Sequence, residues 1–155
     1  MKMSLCSDVL KVLEGKTLVT AESLTGGGIG AKLTAISGSS EVYKGGIICY
    51  TNWVKENVLK VPGEILETYG AVSPWTAGYM ASGVRKGLEA DVAVAVTGLA
   101  GPGGDEFGNP VGTVFIAYED GQRAVVKHFC FEGDRESVRN KTIEAALRLI
   151  LECNA

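Results

Sequence analysis

A serine and a threonine in a glycine-rich segment are the first residues of this sequence that could do chemistry. Ser23 and Thr25 lie in ESLTGGGIG, residues 22–30, which follows the β-branched run Thr17–Ala21. Glycines where a helix begins expose backbone N–H groups, which bind an anion or stabilise an oxyanion. We therefore consider Ser23 as a nucleophile, against the simpler alternative of a helix cap beside a flexible turn. The residues expected to contact an oxyanion or substrate here are Glu22, Thr25, Gly26 and Gly27.

The same segment fits part of a dinucleotide-binding pattern. Gly26, Gly28 and Ala31 match G-x-G-x-x-A between a predicted strand and a predicted helix. The acidic residue expected about 20 positions later, at the end of a second strand, has no clear candidate. The P-loop pattern is excluded, because Lys32 follows Gly30 at the wrong distance. A nucleotide-binding module without catalysis therefore stays open as an alternative function.

A hydroxyl nucleophile needs a base, and the sequence offers a lysine rather than a histidine. The single histidine, His128, lies inside a predicted strand, and no G-x-S-x-G motif is present, so a Ser-His-Asp triad is disfavoured. Lys55 lies one turn into a predicted helix that follows a strand ending near Tyr50. Because a partly buried lysine can lose its proton near neutral pH, one interpretation is a Ser-Lys site assisted by Tyr50. The other is a solvated helix lysine.

Two further segments carry candidate binding residues. A glycine-rich loop follows the apolar run Val92–Val96 and again exposes backbone donors, unless it is a disordered surface loop. Two arginines one turn apart begin the last predicted helix, where they could hold a phosphate or form a salt-bridged helix face. The binding residues expected from these segments are Thr97, Gly98, Gly101, Asn109, Thr113, Arg135 and Arg139.

The elements that must position these residues alternate between strands and helices. Such alternation predicts an α/β domain, a layered α/β/α sandwich with a mixed sheet. Ser73-Pro74 is typical of a helix start, Gly70 of a helix end, and Asn52 is expected to cap a helix. Strands are predicted at 17–21, 46–51, 91–96, 112–118 and 123–131, and helices at 5–13, 29–36, 53–59, 64–69, 74–88 and 135–151.

Composition narrows the functional class. The 155 residues suit one domain, 1–155, and the net charge of −3 without a basic stripe argues against nucleic acid as a partner. No signal peptide or membrane-length apolar run is found, so we expect a cytoplasmic protein with reduced thiols. Cys49 and Cys130 lie in apolar runs and are expected to be buried. Apolar residues near the predicted hairpin favour a homo-oligomer.

Taken together, these segments resemble the CinA C-terminal domain, or nicotinamide-nucleotide amidase, family. The resemblance spans about residues 5–152, nearly the whole chain. The similar motifs are TAESLTGG (20–27), SGSSEVYKGGIICYTNWVK (37–55), YGAVS (69–73), VAVTGLAGPGG (94–104), NPVGTVFIA (109–117) and FEGDRESVR (131–139). Larger members carry an additional N-terminal domain, so this chain looks like the stand-alone form.

The resemblance implies an activity and roles for individual residues. It implies hydrolysis of nicotinamide mononucleotide to nicotinate mononucleotide and ammonia, as part of pyridine nucleotide recycling, without a metal or other cofactor. The family nucleophile falls on Ser23, and its Ser-Lys-Tyr chemistry on Lys55 and Tyr50, although Lys44 also lies in the matching region. A different amide substrate, or a competence- or damage-related interaction module, remains an alternative.

The remaining roles are our own expectations for such a mechanism. Backbone N–H groups of Gly26-Gly27 or of Thr97-Gly98 are expected to hold the oxyanion, and Tyr50 to relay the Ser23 proton to Lys55. Arg139 or Arg135 is expected to bind the phosphate. Thr113 and Asn109 are expected to contact the ribose.

Overall fold

The elements of the chain alternate between strand and helix, as the sequence predicts. The structure is a computed structural model that describes residues 3–155. The strands are β1 (Leu18–Glu22), β2 (Tyr43–Ile48), β3 (Val92–Gly98), β4 (Thr113–Asp120) and β5 (Ala124–Cys130). The α-helices are α1 (Met3–Val12), α2 (Gly28–Thr34), α3 (Asn52–Asn57), α4 (Gly63–Tyr69), α5 (Pro74–Gly87) and α6 (Arg135–Cys153), with a short 3₁₀ turn at Ser39–Glu41.

The five strands form one mixed sheet in the order β2-β1-β3-β4-β5. Strands β2, β1 and β3 are parallel, whereas β4 is antiparallel to β3 and β5 to β4. All five residues of β1 are buried, and six of the seven residues of β3 are. Both faces of these central strands are therefore covered by helices, which explains their nearly continuous apolar sequences.

Helices cover the sheet on two sides and enclose two apolar cores. Alternate side chains of β3 point to opposite faces: Val94 packs with α1, α2 and α6, whereas Ala93 and Ala95 pack with α4 and α5. The small side chains on the second face let α5 lie close to the sheet. This arrangement confirms the predicted α/β/α sandwich with a mixed sheet.

The helix signals of the sequence correspond to observed caps. The Ser73 side chain accepts a hydrogen bond from the Thr76 amide at 3.0 Å, with Pro74 at the first helical position, and Gly70 ends α4. The cap of α3 is Thr51, not Asn52 as predicted, and Asn52 is the first helical residue.

Two predictions about the sheet are wrong. The second strand is Tyr43–Ile48, three residues before the predicted 46–51, because pairing with β1 already begins at Tyr43 and continues through Gly45 and Gly46. A Cβ at Gly46 would overlap the Thr20 hydroxyl, so a glycine is needed there. Cys130 is exposed, not buried, because β5 is an edge strand and no helix covers that side chain. Cys49 is fully buried, as expected.

The topology determines where a site can form. The carboxyl ends of β2, β1 and β3 lie at one edge of the sheet, since these strands are parallel. From β1 the chain continues to β2 on one side of β1, and it then crosses to β3 on the other side of β1, so the direction of the connections reverses there. Such a change of direction leaves a crevice beyond the strand ends, where α/β proteins bind ligands. In the described part of the chain, no helix is long and apolar enough to cross a membrane.

Candidate active site

Ser23 and Lys55 meet at this edge of the sheet. The Lys55 Nζ atom lies 3.0 Å from the Ser23 Oγ atom. Ser23 directly follows β1, and its amide donates to the Val96 carbonyl of β3 at 3.1 Å. Lys55 lies in the first turn of α3. Its backbone amide donates a hydrogen bond to the carbonyl of Thr51, the N-cap residue. The segments that follow two neighbouring parallel strands therefore place the Ser23 hydroxyl and the Lys55 amine in contact.

The Lys55 side chain is buried, at 1% exposure. Its Nζ atom also donates to the Cys49 carbonyl at 2.7 Å and lies 3.5 Å from the Tyr50 carbonyl oxygen. Burial lowers the pKa of the Lys55 ammonium from its ordinary value, and the nearby Cys49 thiol opposes this shift. No carboxylate of residues 3–155 forms an ion pair with Lys55 to restore its charge. A neutral amine beside Ser23 can accept the hydroxyl proton.

A cleft of about 320 Å³ opens beside Ser23 and Lys55, within the size range of small-molecule sites. Its walls come from the ends of β1 and β3, the start of α3, the segment before α5 and the start of α6. Beyond Ser23 and Lys55, the lining residues are Leu24, Tyr50, Asn52, Ala71, Val72, Thr97–Gly101, Gly103 and Arg135. No acidic side chain lines this cleft among the described residues, so an anionic or neutral ligand suits it.

Seven lining residues were not among the candidates from the sequence, although three of them lie in the glycine-rich loop that supplied other candidates. They are Leu24, Asn52, Ala71, Val72, Leu99, Ala100 and Gly103. Leu24, Ala71 and Val72 supply apolar surface, and the last two belong to a segment that looks like a plain connector. Asn52 was interpreted only as a cap, although it lies three residues before Lys55 on the same side of α3. The YGAVS motif, residues 69–73, is the signal that could have pointed to the wall of the cleft.

Tyr50 and Arg135 lie together at the mouth of the cleft. One Arg135 Nη atom donates to the Tyr50 hydroxyl at 3.1 Å, and the other to the Gly101 carbonyl at 2.7 Å. Tyr50 is 59% exposed, and Lys55 approaches its carbonyl oxygen rather than its hydroxyl. The predicted relay through Tyr50 is therefore not the arrangement here, because Lys55 contacts Ser23 directly.

The glycine-rich turn places several predicted residues outside the cleft. Glu22 is buried under the turn, where its carboxylate accepts the Thr25 hydroxyl at 2.8 Å. The Gly26 amide donates to the Ser23 carbonyl at 3.2 Å and is not free for an oxyanion. A Cβ at Gly27 would contact Ile48 on the edge strand, away from the cleft. Neither these residues nor Thr25 line the cleft, and the substrate and oxyanion contacts predicted for them stay predictions.

Arg139 and the two polar residues predicted to contact a ribose hold the chain together instead. Arg139 donates to the Leu24 carbonyl at 2.9 Å and to the Thr25 carbonyl at 3.1 Å, which commits its guanidinium to the serine turn. The Asn109 side-chain Nδ2 donates to the Val72 carbonyl at 3.1 Å, and the Thr113 hydroxyl donates to the Pro110 carbonyl at 2.6 Å. None of these three residues lines the cleft.

Three predicted residues at the end of β3 and in the glycine-rich loop after it line the cleft, whereas the alternative lysine lies outside it. The Thr97 hydroxyl donates to the Ala71 carbonyl at 2.7 Å, and Thr97 and Gly98 lie in the ladder between β3 and β4. Both line the cleft, as does Gly101. Lys44 is exposed and donates to the Glu89 carbonyl at 3.2 Å, which leaves Lys55 as the lysine beside Ser23.

Fold and site together define a small α/β protein with a buried serine–lysine pair at the carboxyl edge of its sheet. The chain belongs to the CinA C-terminal domain family, whose model matches residues 3–154.

Relatives and solved structures agree with this membership. The chain is 47% identical to a CinA-like protein of Parasynechococcus marenigrum over 93% of this chain and 35% of that protein. It is 44% identical to a putative competence-damage inducible protein of Desulforamulus reducens, over 87% of this chain and 33% of the relative. It thus spans about a third of the length of the curated relatives it matches.

The fold matches CinA superfamily proteins of known structure. One from Klebsiella pneumoniae aligns with a TM-score of 0.95 at 34% identity, covering 98% of this chain and 96% of that one. Another from Escherichia coli aligns with a TM-score of 0.95 at 35% identity, covering 97% and 89%.

Proposed function

We propose that this chain is a serine–lysine amidohydrolase that converts nicotinamide mononucleotide to nicotinate mononucleotide and ammonia. The observation that carries the proposal is the 3.0 Å contact between Lys55 Nζ and Ser23 Oγ, with the lysine buried and unpaired by any carboxylate of the described chain. A buried amine of lowered pKa is a base suited to a serine.

The reaction proceeds in two halves. Neutral Lys55 takes the Ser23 proton as Oγ bonds to the carboxamide carbon, and the carbonyl electron pair moves onto oxygen. Lys55 then returns the proton to the nitrogen, the carbon–nitrogen bond breaks, and ammonia leaves. Water, deprotonated by Lys55, attacks the Ser23 ester, and the bond between the acyl carbon and Oγ breaks. Lys55 returns the proton to Oγ, and the carboxylic acid leaves and ionises in water to the carboxylate product. In this scheme the oxyanion donor is the backbone amide of Leu24, the residue that directly follows the nucleophile and that lines the cleft.

The cleft lining supports a nucleotide of this class. Leu24, Ala71 and Val72 offer apolar surface to a flat ring. Arg135 lies at the mouth, and the guanidinium N–H groups that do not bond Gly101 and Tyr50 are available to a phosphate. Since Lys55 is committed to Ser23, Arg135 is the cation left for the substrate. Ser-Lys chemistry needs no metal or cofactor. Assembly into a homo-oligomer stays a prediction.

The test is ammonia release from nicotinamide mononucleotide by wild type, Ser23→Ala and Lys55→Met. We expect the wild type to release ammonia. In both variants the rate should fall by at least about 1,000-fold, because the nucleophile and the base act as a unit. Lys44→Met is the matched control, since this exposed lysine lies outside the cleft. Turnover that survives in Ser23→Ala would contradict the nucleophile. No turnover in folded wild type, with nucleotide binding retained, would favour a binding module.

A further inference from the structure

The carboxylate of Glu22, one residue before the nucleophile, is buried and fully bonded. Its exposure is 2%. Oε1 accepts the Ile29 amide at 2.7 Å and the Thr25 hydroxyl at 2.8 Å. Oε2 accepts the Gly30 amide at 3.0 Å and the Thr20 hydroxyl at 3.1 Å. Each oxygen thus holds one amide of the first turn of α2 and one threonine hydroxyl.

Burying a carboxylate is costly for a fold, even when it is satisfied. The amides of α2 recover part of this cost, because an anion at a helix N-terminus is favourable. An apolar side chain of similar volume would leave the two amides and the two threonine hydroxyls without an acceptor. The buried carboxylate therefore fixes these four donors, and with them the segment that surrounds Ser23.

The segment it holds is the turn that carries Ser23. Glu22 is the last residue of β1. Its carboxylate accepts the hydroxyl of Thr25, which lies two positions after the nucleophile. Between Glu22 and Thr25, the Ser23 amide donates to the Val96 carbonyl, and the Ser23 carbonyl accepts from the Gly26 amide. Thr25 is completely buried. The contact between Glu22 and Thr25 thus closes a ring around Ser23 and restricts rotation of its backbone.

We infer that Glu22 is a positioning residue, which acts through Thr25 to aim the Ser23 hydroxyl at Lys55 and the cleft. The inference rests on the proposed function for the step that it serves. Its effect is geometric, since a displacement of the nucleophile by about 1 Å costs about 100-fold in rate. Substrate binding is not involved, because neither Glu22 nor Thr25 lines the cleft.

Threonine variants isolate this contact with little change of volume. Thr25→Val removes the hydroxyl that Glu22 accepts, and Thr25→Ser keeps it. Glu22→Gln replaces one acceptor oxygen with an NH₂ group, which faces the amide of Ile29 or Gly30 and cannot accept from it. Thr142→Val is the matched control. It removes an equally buried hydroxyl, bonded to the Val138 carbonyl at 2.7 Å, within α6.

The experiment measures kcat and KM for nicotinamide mononucleotide, the rate at which a small fluorophosphonate modifies Ser23, and the folded fraction by circular dichroism. In Thr25→Val and Glu22→Gln, kcat and the fluorophosphonate rate are expected to fall together by about 10- to 100-fold. KM stays within about two-fold, since the residues make no substrate contact. Thr25→Ser restores both rates, Thr142→Val leaves them unchanged, and the pH midpoint of the rate stays that of wild type.

Two results would overturn the inference. Rates that fall no further than in Thr142→Val would make Glu22 a structural residue only, and an increase in KM at constant kcat would make it a binding residue. The fluorophosphonate rate does not depend on the nucleotide substrate. If wild type fails to turn over nicotinamide mononucleotide while this rate still falls in both variants, the positioning role stands and the proposed substrate is wrong.

Discussion

Ser23 Oγ and Lys55 Nζ lie 3.0 Å apart although the two residues are 32 positions apart in the chain. Each belongs to the segment that follows a strand, and β1 and β2 are adjacent and parallel. The base is therefore supplied by a neighbouring strand–helix connection, and the contact depends on the packing of α3 against the sheet.

The lowered pKa of Lys55 predicts how the rate depends on pH. The neutral amine is the active form, so kcat/KM should rise with pH along one ionisation and level off above it. Because burial lowers the pKa, the midpoint should lie below the ordinary value of 10.5. A pH series of ammonia release measures it, with Lys44→Met expected to give the same profile. A midpoint at or above that of a free lysine would argue against Lys55 as the base.

The same shift predicts a pH dependence of stability. Between the lowered pKa of folded Lys55 and the ordinary value near 10.5, the unfolded chain binds more protons. The free energy of unfolding contributed by this group therefore rises with pH across that window, and the cost of burial is largest below it.

Lys55→Met should lose this rise, and urea unfolding of both proteins over a pH series measures the difference. Because Cys49 and Lys55 influence each other's pKa, the comparison is made well below pH 9.0, the ordinary pKa of a cysteine, where the Cys49 thiol stays protonated in both proteins. Parallel pH curves for the two proteins would show that Lys55 keeps an ordinary pKa.

Arg135 should affect substrate binding more than chemistry. Its guanidinium lies at the cleft mouth beside Tyr50 and Gly101, away from the Ser23–Lys55 contact. Losing a charged hydrogen bond costs about 1.5–3 kcal/mol, so Arg135→Ala should raise KM by about 10- to 150-fold with kcat nearly unchanged. Arg135→Lys should recover part of this affinity. Arg148→Ala, an exposed change further along α6, is the control. A fall in kcat alone would assign Arg135 to the chemical step.

Gly83 should be essential for the packing that positions α3. A Cβ at this position of α5 would overlap the Leu59 carbonyl, just beyond α3. Gly83→Ala should therefore lower the free energy of unfolding by about 1–3 kcal/mol and reduce activity by displacing Lys55. Gly87→Ala in the same helix has open space around it and should be neutral or stabilising by up to about 1 kcal/mol. Thermal unfolding checks both, and equal stability of the two variants would contradict the close approach.

Most of the architecture could be read from local patterns. The Ser73-Pro74 helix start, the apolar runs of β1 and β3 and the amphipathic last helix depend on residues close in sequence, so periodicity predicts them. The predicted β2 begins too late, because Gly45 and Gly46 are atypical of a strand interior. Gly46 is required by the close approach of Thr20 on the neighbouring strand, which no local pattern reveals.

Residue types and their spacing are enough to predict the fold class, the family and a short set of residues capable of chemistry. Tertiary structure decided which of these meet. It placed Lys55 rather than Lys44 at Ser23, turned Glu22 and Arg139 inward to hold the serine turn, and added Asn52 and Ala71 to the cleft. Proximity, burial and the pKa shift of Lys55 arise from distant segments packing together, and a linear pattern carries no distances between such segments.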